Sequence, residues 1–224
     1  MYSPFGDNYL GMCVFFERIK KRFYMINSKL ELQFYICADS MMNRGYFKKS
    51  LLMKVVSLIR PDWIMEYLTA LRKVEYYSNR GGVRRHYYKY RFRKLGMKLG
   101  FTISENVFGY GLVIPHYGTI VVGSGNRVGN YAVLHTSTCV TAGRKTIGDG
   151  FYLSTGAKVL GDIDLGNYTT IGANAVVNQS EGGNCLLVGI PAKKKRDEAP
   201  WMKDLYRERY EACEELRRKL FENM

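Results

Sequence analysis

Residues 120–177 read IVVGSGNRVGNYAVLHTSTCVTAGRKTIGDGFYLSTGAKVLGDIDLGNYTTIGANAVV, and the stretch repeats itself. Apolar residues return every six positions at Val122, Val128, Leu134 and Val140. After one inserted residue they resume at Ile147, Leu153, Val159, Leu165, Ile171 and Val177. Glycine follows the anchor at 129, 148, 166 and 172. A fixed short period of this kind marks a β-helix. Each hexad makes one strand and one corner, three hexads close a triangular coil, and the anchors point into the prism. The small residue after the anchor lets the backbone take the corner without a clash. Coils stack at about the usual strand separation of 4.8 Å, so each rung covers the edge of the next. An antiparallel sandwich would alternate every second residue instead, and this stretch does not.

Upstream of residue 105 the texture is helical. Phe15, Ile19, Phe23 and Ile26 recur at helical spacing, as do Leu51/Leu52, Val55/Val56 and Ile59. Pro61 separates that helix from a stripe of Ile64, Tyr67, Leu68, Leu71 and Val74, which Gly81-Gly82 breaks. Tyr88, Phe92, Leu95 and Leu99 outline one more helix, closed by Gly100. Residues 30–36 fit strand or helix, and helical neighbours favour helix. Downstream, Leu205/Tyr206, Tyr210, Cys213, Leu216 and Leu220 share one side of an amphipathic helix that packs on the β-helix or a neighbouring subunit. The expected fold class is α+β: a basic helical domain at 1–104, a β-helix at 105–192, and a basic linker with a C-terminal helix at 193–224.

Charge follows the same division. Residues 1–104 carry 20 Lys/Arg against 7 Asp/Glu, residues 105–190 carry 4 against 5, and residues 191–224 carry 10 against 8. An anionic surface or substrate is the natural partner of the first part, including peripheral contact with a membrane. Nucleic acid is the weaker candidate. The stretch RRHYYKYRFRK (84–94) interleaves cations with aromatics, but the helical stripe turns the aromatics inward and leaves the cations in water. The five cysteines show no C-x-x-C pair, which speaks against a disulfide framework or a zinc site. The N-terminus has no signal-peptide pattern, and apolar runs fall short of the roughly 20 residues a membrane span needs, so a cytoplasmic location is expected.

Two passages add to the repeat: IPHYGTIVVG (114–123) before it and VGIPAKKKR (188–196) closing it. Together, over about residues 85–196, they resemble the hexapeptide-repeat acyltransferases, in particular the serine acetyltransferase-like branch. That branch includes enzymes that acetylate sugars in capsule and exopolysaccharide synthesis. The resemblance implies left-handed winding, against the usual crossover rule. It also implies a homotrimer, acetyl-CoA as donor and active sites between subunits, with no metal. His116 matches the catalytic base of the family. Departures bear on the acceptor: Pro115 and Phe101 stand where serine acetyltransferases carry aspartates, and a loop with a second active-site histidine is shortened to residues 143–146. Carboxylates are natural partners for the ammonium of serine. Their loss favours a saccharide hydroxyl, with serine O-acetylation and a non-catalytic scaffold as alternatives.

Transfer from a thioester to an alcohol requires the hydroxyl proton to leave as oxygen attacks. Imidazole suits this, since its ordinary pKa of about 6.5 leaves it largely neutral at pH 7. No G-x-S-x-G elbow or cysteine nucleophile motif is present, so direct transfer is expected. His135, 19 residues after His116 and thus about one coil further on, holds the acceptor or orients the first histidine; Tyr117 is a second acceptor candidate. Ala142, Gly143, Thr155, Gly172 and Ala173 are small or hydroxylated corner residues suited to the pantetheine arm, and an amide near Ala142–Gly143 is the candidate oxyanion donor. Lys193 and Arg196 are placed for a CoA phosphate. A β-helical zinc carbonic anhydrase would need three histidine ligands, and the repeat region holds only two.

Overall fold

All ten hexad anchors are buried, each at most 3% exposed. A computed structural model describes residues 25–48 and 50–222, and in it the anchors line the inside of a three-faced parallel prism of about five coils. The first face is β1 (Phe101–Ile103), β2 (Ile120–Val122), β5 (Thr138–Val140), β8 (Lys158–Val159) and β11 (Val176–Val177). The second face stacks β3 (Arg127–Val128), β6 (Thr146–Ile147) and β9 (Asp164–Leu165). The third stacks β4 (Val133–Leu134), β7 (Tyr152–Leu153), β10 (Thr169–Ile171) and β12 (Cys185–Gly189), and β13 (Ala192–Asp197) returns antiparallel on β12. Anchor pairs with anchor in register, as Val122 with Val140 and Leu134 with Leu153.

The glycines after the anchors avoid a clash, as expected, and the clash they avoid is with the next coil. They do not take left-handed angles; they leave room for the coil below. A Cβ at Gly129 would lie 2.3 Å from Asp149 Oδ1, and one at Gly148 would lie 2.3 Å from Asn167 Oδ1. Those oxygens form a ladder: Tyr110 N–H donates to Asn130, Asn130 N–H to Asp149, and Asp149 N–H to Asn167. Each rung satisfies a corner amide that the strands leave unpaired.

Among the described residues four helices precede the prism: α1 (Lys29–Arg44), α2 (Leu51–Ile59), α3 (Trp63–Arg80) and α4 (Arg84–Leu99). Residues 30–36 fall in α1, which starts on a reciprocal cap between Ser28 and Glu31. The helix outlined by Phe15, Ile19 and Phe23 lies outside the described residues. α3 and α4 close the first coil: Phe92, Leu95 and Leu99 are buried, and Tyr67 stacks on Phe92 and meets Phe101 edge-on. Their side chains join one continuous core with the anchors. β1 also begins the prism before residue 105. The stretch from residue 193, expected as a linker, is the strand β13. A short helix α5 (Trp201–Asp204) and then α6 (Arg207–Phe221) follow. With α1 they cover the third face, where Phe34, Met42, Val113, Tyr131, Val133, Trp201 and Cys213 share a second cluster.

Charge ties the helices to the prism. Arg72 on α3 is fully buried and donates to Asp39 on α1, to Glu75, and to the carbonyls of Phe108 and Gly109 in the first coil. Asp39 in turn accepts from Leu112 N–H, and Glu75 from Asn106 N–H. Buried charges persist only when paired in this way. No helix among the described residues is long and apolar enough to cross a membrane.

Candidate active site

The edge between the third and first faces gathers most of the residues singled out above. At the first coil it carries Pro115, His116 and Tyr117; at the second, His135. Thr155 follows at the third, Gly172 and Ala173 at the fourth, and the β12–β13 hairpin at the fifth. Backbone rungs hold the corners in line: Gly156 N–H donates to Thr136 O, Asn174 N–H to Thr155 O, and Gly172 N–H to Leu187 O. Four coil spacings of about 4.8 Å give this edge a length of roughly 19 Å.

His116 and Tyr117 are exposed at the corner, with Tyr117 74% accessible. His135 is half-buried, and its Nε2 lies 2.7 Å from the Tyr152 hydroxyl on β7, one coil further on. Burial lowers the pKa of His135, and the nearby His116 lowers it further. The two histidines stand at the same corner on successive coils, and the lowered pKa favours a neutral His135 at pH 7, where it can trade a hydrogen bond with Tyr152. Burial raises the Tyr152 hydroxyl above its ordinary value, with Tyr206 adding to the effect, so that hydroxyl keeps its proton.

Thr155 and Ala173 are exposed on the same edge, and such a row of small side chains leaves backbone open to an extended ligand arm. Lys193 pairs in register with Val188 near the turn of the hairpin. Among the described residues neither Lys193 nor Lys195 enters an ion pair, whereas Lys194 meets Asp197 at 2.8 Å and Arg196 meets Glu198 at 3.0 Å. Lys193 therefore offers the more available charge for a phosphate, and Arg196 is already partly neutralised.

Ala142 and Gly143 lie elsewhere, on the edge between the first and second faces. Gly143 N–H donates to Ser124 O, so this amide holds the stack and is committed within the subunit. Within one subunit these two residues do not meet His116. His86 is exposed on α4, away from both edges.

A cleft of about 490 Å³ opens beside the histidines. Val113, Pro115 and Val133 form its floor, and His135 and Tyr152 form one side. The roof comes from the C-terminal segment: Trp201, Leu205, Tyr206 and Arg209. Trp201 meets Tyr152 and Tyr206 edge-on, at centroid distances of 6.0 and 5.5 Å. Its Nε1 is buried and has no hydrogen-bond partner among the described residues. Sequence reading gave this segment no part in the site. Tyr152 was within reach of the repeat, since it stands 17 residues after His135; Trp201 and Arg209 carry no local signal. Among the described residues no three of His, Cys, Asp and Glu gather as a metal set.

No protein-family model matches the chain. It is 33% identical over 93 residues to a serine acetyltransferase of Buchnera aphidicola, covering 38% of this chain and 34% of the relative. It is 34% identical over 94 residues to one of Mycobacterium tuberculosis, covering 39% and 41%. The chain thus matches well under half the length of these curated relatives. Among solved structures, a serine acetyltransferase in complex with CoA aligns with a TM-score of 0.54 at 21% identity, over 73% of this chain and 67% of that one. The soybean serine acetyltransferase complexed with serine aligns with a TM-score of 0.58 at 22% identity, over 73% and 69%. The architecture read from the hexads is therefore the left-handed parallel β-helix that serine acetyltransferases carry.

Proposed function

We propose that this chain transfers an acetyl group from acetyl-CoA to a hydroxyl, as a serine acetyltransferase-like enzyme. The observation that carries the reading is one edge of the prism. It places an exposed His116 beside His135 and continues through Thr155 and Ala173 to the free cation Lys193. The names of the relatives point to the same chemistry.

His116 takes the acceptor proton as the hydroxyl oxygen attacks the thioester carbonyl. The carbon–sulfur bond then breaks, and the proton passes from the imidazolium to the departing thiolate. His135, neutral and hydrogen-bonded to Tyr152, orients the acceptor without adding a second charge. Lys193 holds a phosphate of the donor, and Thr155, Gly172 and Ala173 flank its arm. A homotrimer, as the resemblance implies, would bring the Ala142–Gly143 edge of one subunit towards the histidine edge of the next.

Serine is the acceptor in the relatives' names, and those names support it better than a saccharide of surface-polysaccharide synthesis. One observation favours the saccharide: among the described residues no carboxylate lines the cleft beside His135 to meet an ammonium group.

The test is release of CoA thiol from acetyl-CoA with L-serine or a sugar as acceptor, corrected for the protein's own cysteines. Acceptor-dependent release should fall by about 10²–10⁴ in His116→Ala. Undiminished release in that variant would remove His116 as the base, and absence of acetyl-CoA binding by the wild type would end the enzyme reading.

A further inference from the structure

We infer that the cleft roofed by the C-terminal segment is the acceptor site, and that it takes a polyhydroxyl compound lacking an ammonium group, such as a hexose or its nucleotide-linked form. The inference rests on the acetyl-transfer reading for the identity of the second ligand, but the cleft itself stands on geometry.

Position comes first. The cleft shares Pro115 and His135 with the histidine edge, so a ligand in it lies next to His116 and does not block the column of corners below. Size comes second. About 490 Å³ falls within the range of roughly 300–1,000 Å³ typical of small-molecule sites. A free amino acid as small as serine would leave most of that space to water.

Lining chemistry decides the class. Tyr152, Trp201 and Tyr206 supply apolar ring surface with polar tips, the combination that receives a sugar ring and its hydroxyls. Trp201 Nε1–H is a buried donor without a partner among the described residues, and a buried donor left unmade costs about 1–3 kcal/mol. Arg209 is the one permanently charged side chain of the lining; its guanidinium stacks on Tyr206 at 4.8 Å and donates to Met42 O at 2.9 Å, which fixes it in place. A fixed cation in a lining that holds no carboxylate among the described residues disfavours an ammonium and tolerates or attracts a phosphate; Asp204 and Glu208 border the adjoining cleft on the far side of Arg209. The same balance explains why Pro115 can occupy the floor, where a serine-binding relative would need an acid.

The chain has two tryptophans, Trp63 and Trp201. In a Trp63→Phe background, Trp201 alone reports on the cleft through its fluorescence. The full chain would be titrated with D-glucose, D-galactose, UDP-glucose and L-serine, with acetyl-CoA binding measured separately by calorimetry. Saturable shifts with a sugar or UDP-sugar and none with L-serine are expected. Binding should weaken about tenfold in Arg209→Gln, while acetyl-CoA affinity stays the same. Glu211→Gln, an exposed change on the same helix outside the cleft, serves as the folding control and should retain the response. A shift with L-serine alone, or with none of the four, overturns the inference. A sugar response without acetyl-CoA binding would sink the acetyl-transfer reading and leave the cleft. Acetyl-CoA binding without a sugar response would do the reverse.

Discussion

The prism and the helices wrapped around it are held by different chemistry. Inside the prism ten equivalent anchors repeat one apolar contact, and no single one sets the fold. The helices also pack on it through apolar side chains, but they are pinned in addition by a few singular polar contacts: Arg72 with Asp39 and Glu75 at one end, and Glu214 with Tyr110 and Tyr131 at the other. The candidate site sits on the seam between the two. The repeat contributes the histidines and the column of small corners; the wrapped segment contributes the roof of the cleft. A repeated core can thus be shared widely, while the few contacts that fasten the wrapping settle which ligand the edge accepts.

The contrast can be broken most forcefully at Arg72. Arg72→Ala leaves two buried carboxylates without a partner and should cost about 3–5 kcal/mol of stability in denaturant titration. A loss below 1 kcal/mol, within the range of an ordinary surface change, would show that the staple is dispensable. Leu153→Ala inside the prism should cost about 2–5 kcal/mol through the cavity it leaves. His116→Ala, on the exposed corner, should stay within about 0.5 kcal/mol.

The C-terminal fastening should be sensitive to acid. Burial alone would raise the Glu214 carboxyl, but hydrogen bonds from Tyr131, Arg217 and Tyr110 hold it below its ordinary range. Its folded pKa is therefore lower than its unfolded one. The stability it contributes is complete above the unfolded value of about 4.3 and is lost as pH falls through the folded value. Trp201 fluorescence should report loosening of the roof in that window, and Glu214→Gln should show the loosened signal already at neutral pH. A roof equally firm in both proteins down to acid pH would contradict this fastening. The smallest effect concerns the histidine pair. The NMR titration midpoint of His135 should lie below the ordinary 6.5 and rise in His116→Ala, because one of the two depressing causes is gone. An unmoved midpoint would separate the two rings.

The hexads made the prism legible because each anchor is its own local evidence, and the period survives one insertion between Val140 and Ile147. The histidine edge was legible for the same reason: spacing of 19 and then 17 residues places His116, His135 and Tyr152 on successive coils. The helices were found by their stripes. Their attachment was not, because nothing local distinguishes Arg72, Asp39 and Glu75 from surface charges until three distant segments meet. The roof of the cleft was hidden likewise. Trp201 and Arg209 reach His135 only because α6 packs against α1, a contact between residues more than 160 positions apart. That α3 and α4 pack into the prism's own core was hidden on the same ground.

The most direct test of the account is acetyl-CoA binding by calorimetry, comparing the wild type with Ala173→Glu. Ala173 is exposed on the fourth corner of the histidine edge, so the change adds bulk and negative charge to the donor path without touching the core. The account expects the wild type to bind and the variant to bind at least about tenfold more weakly, with an unchanged melting temperature. Equal affinity in the two proteins would place the donor elsewhere and contradict the assignment of this edge.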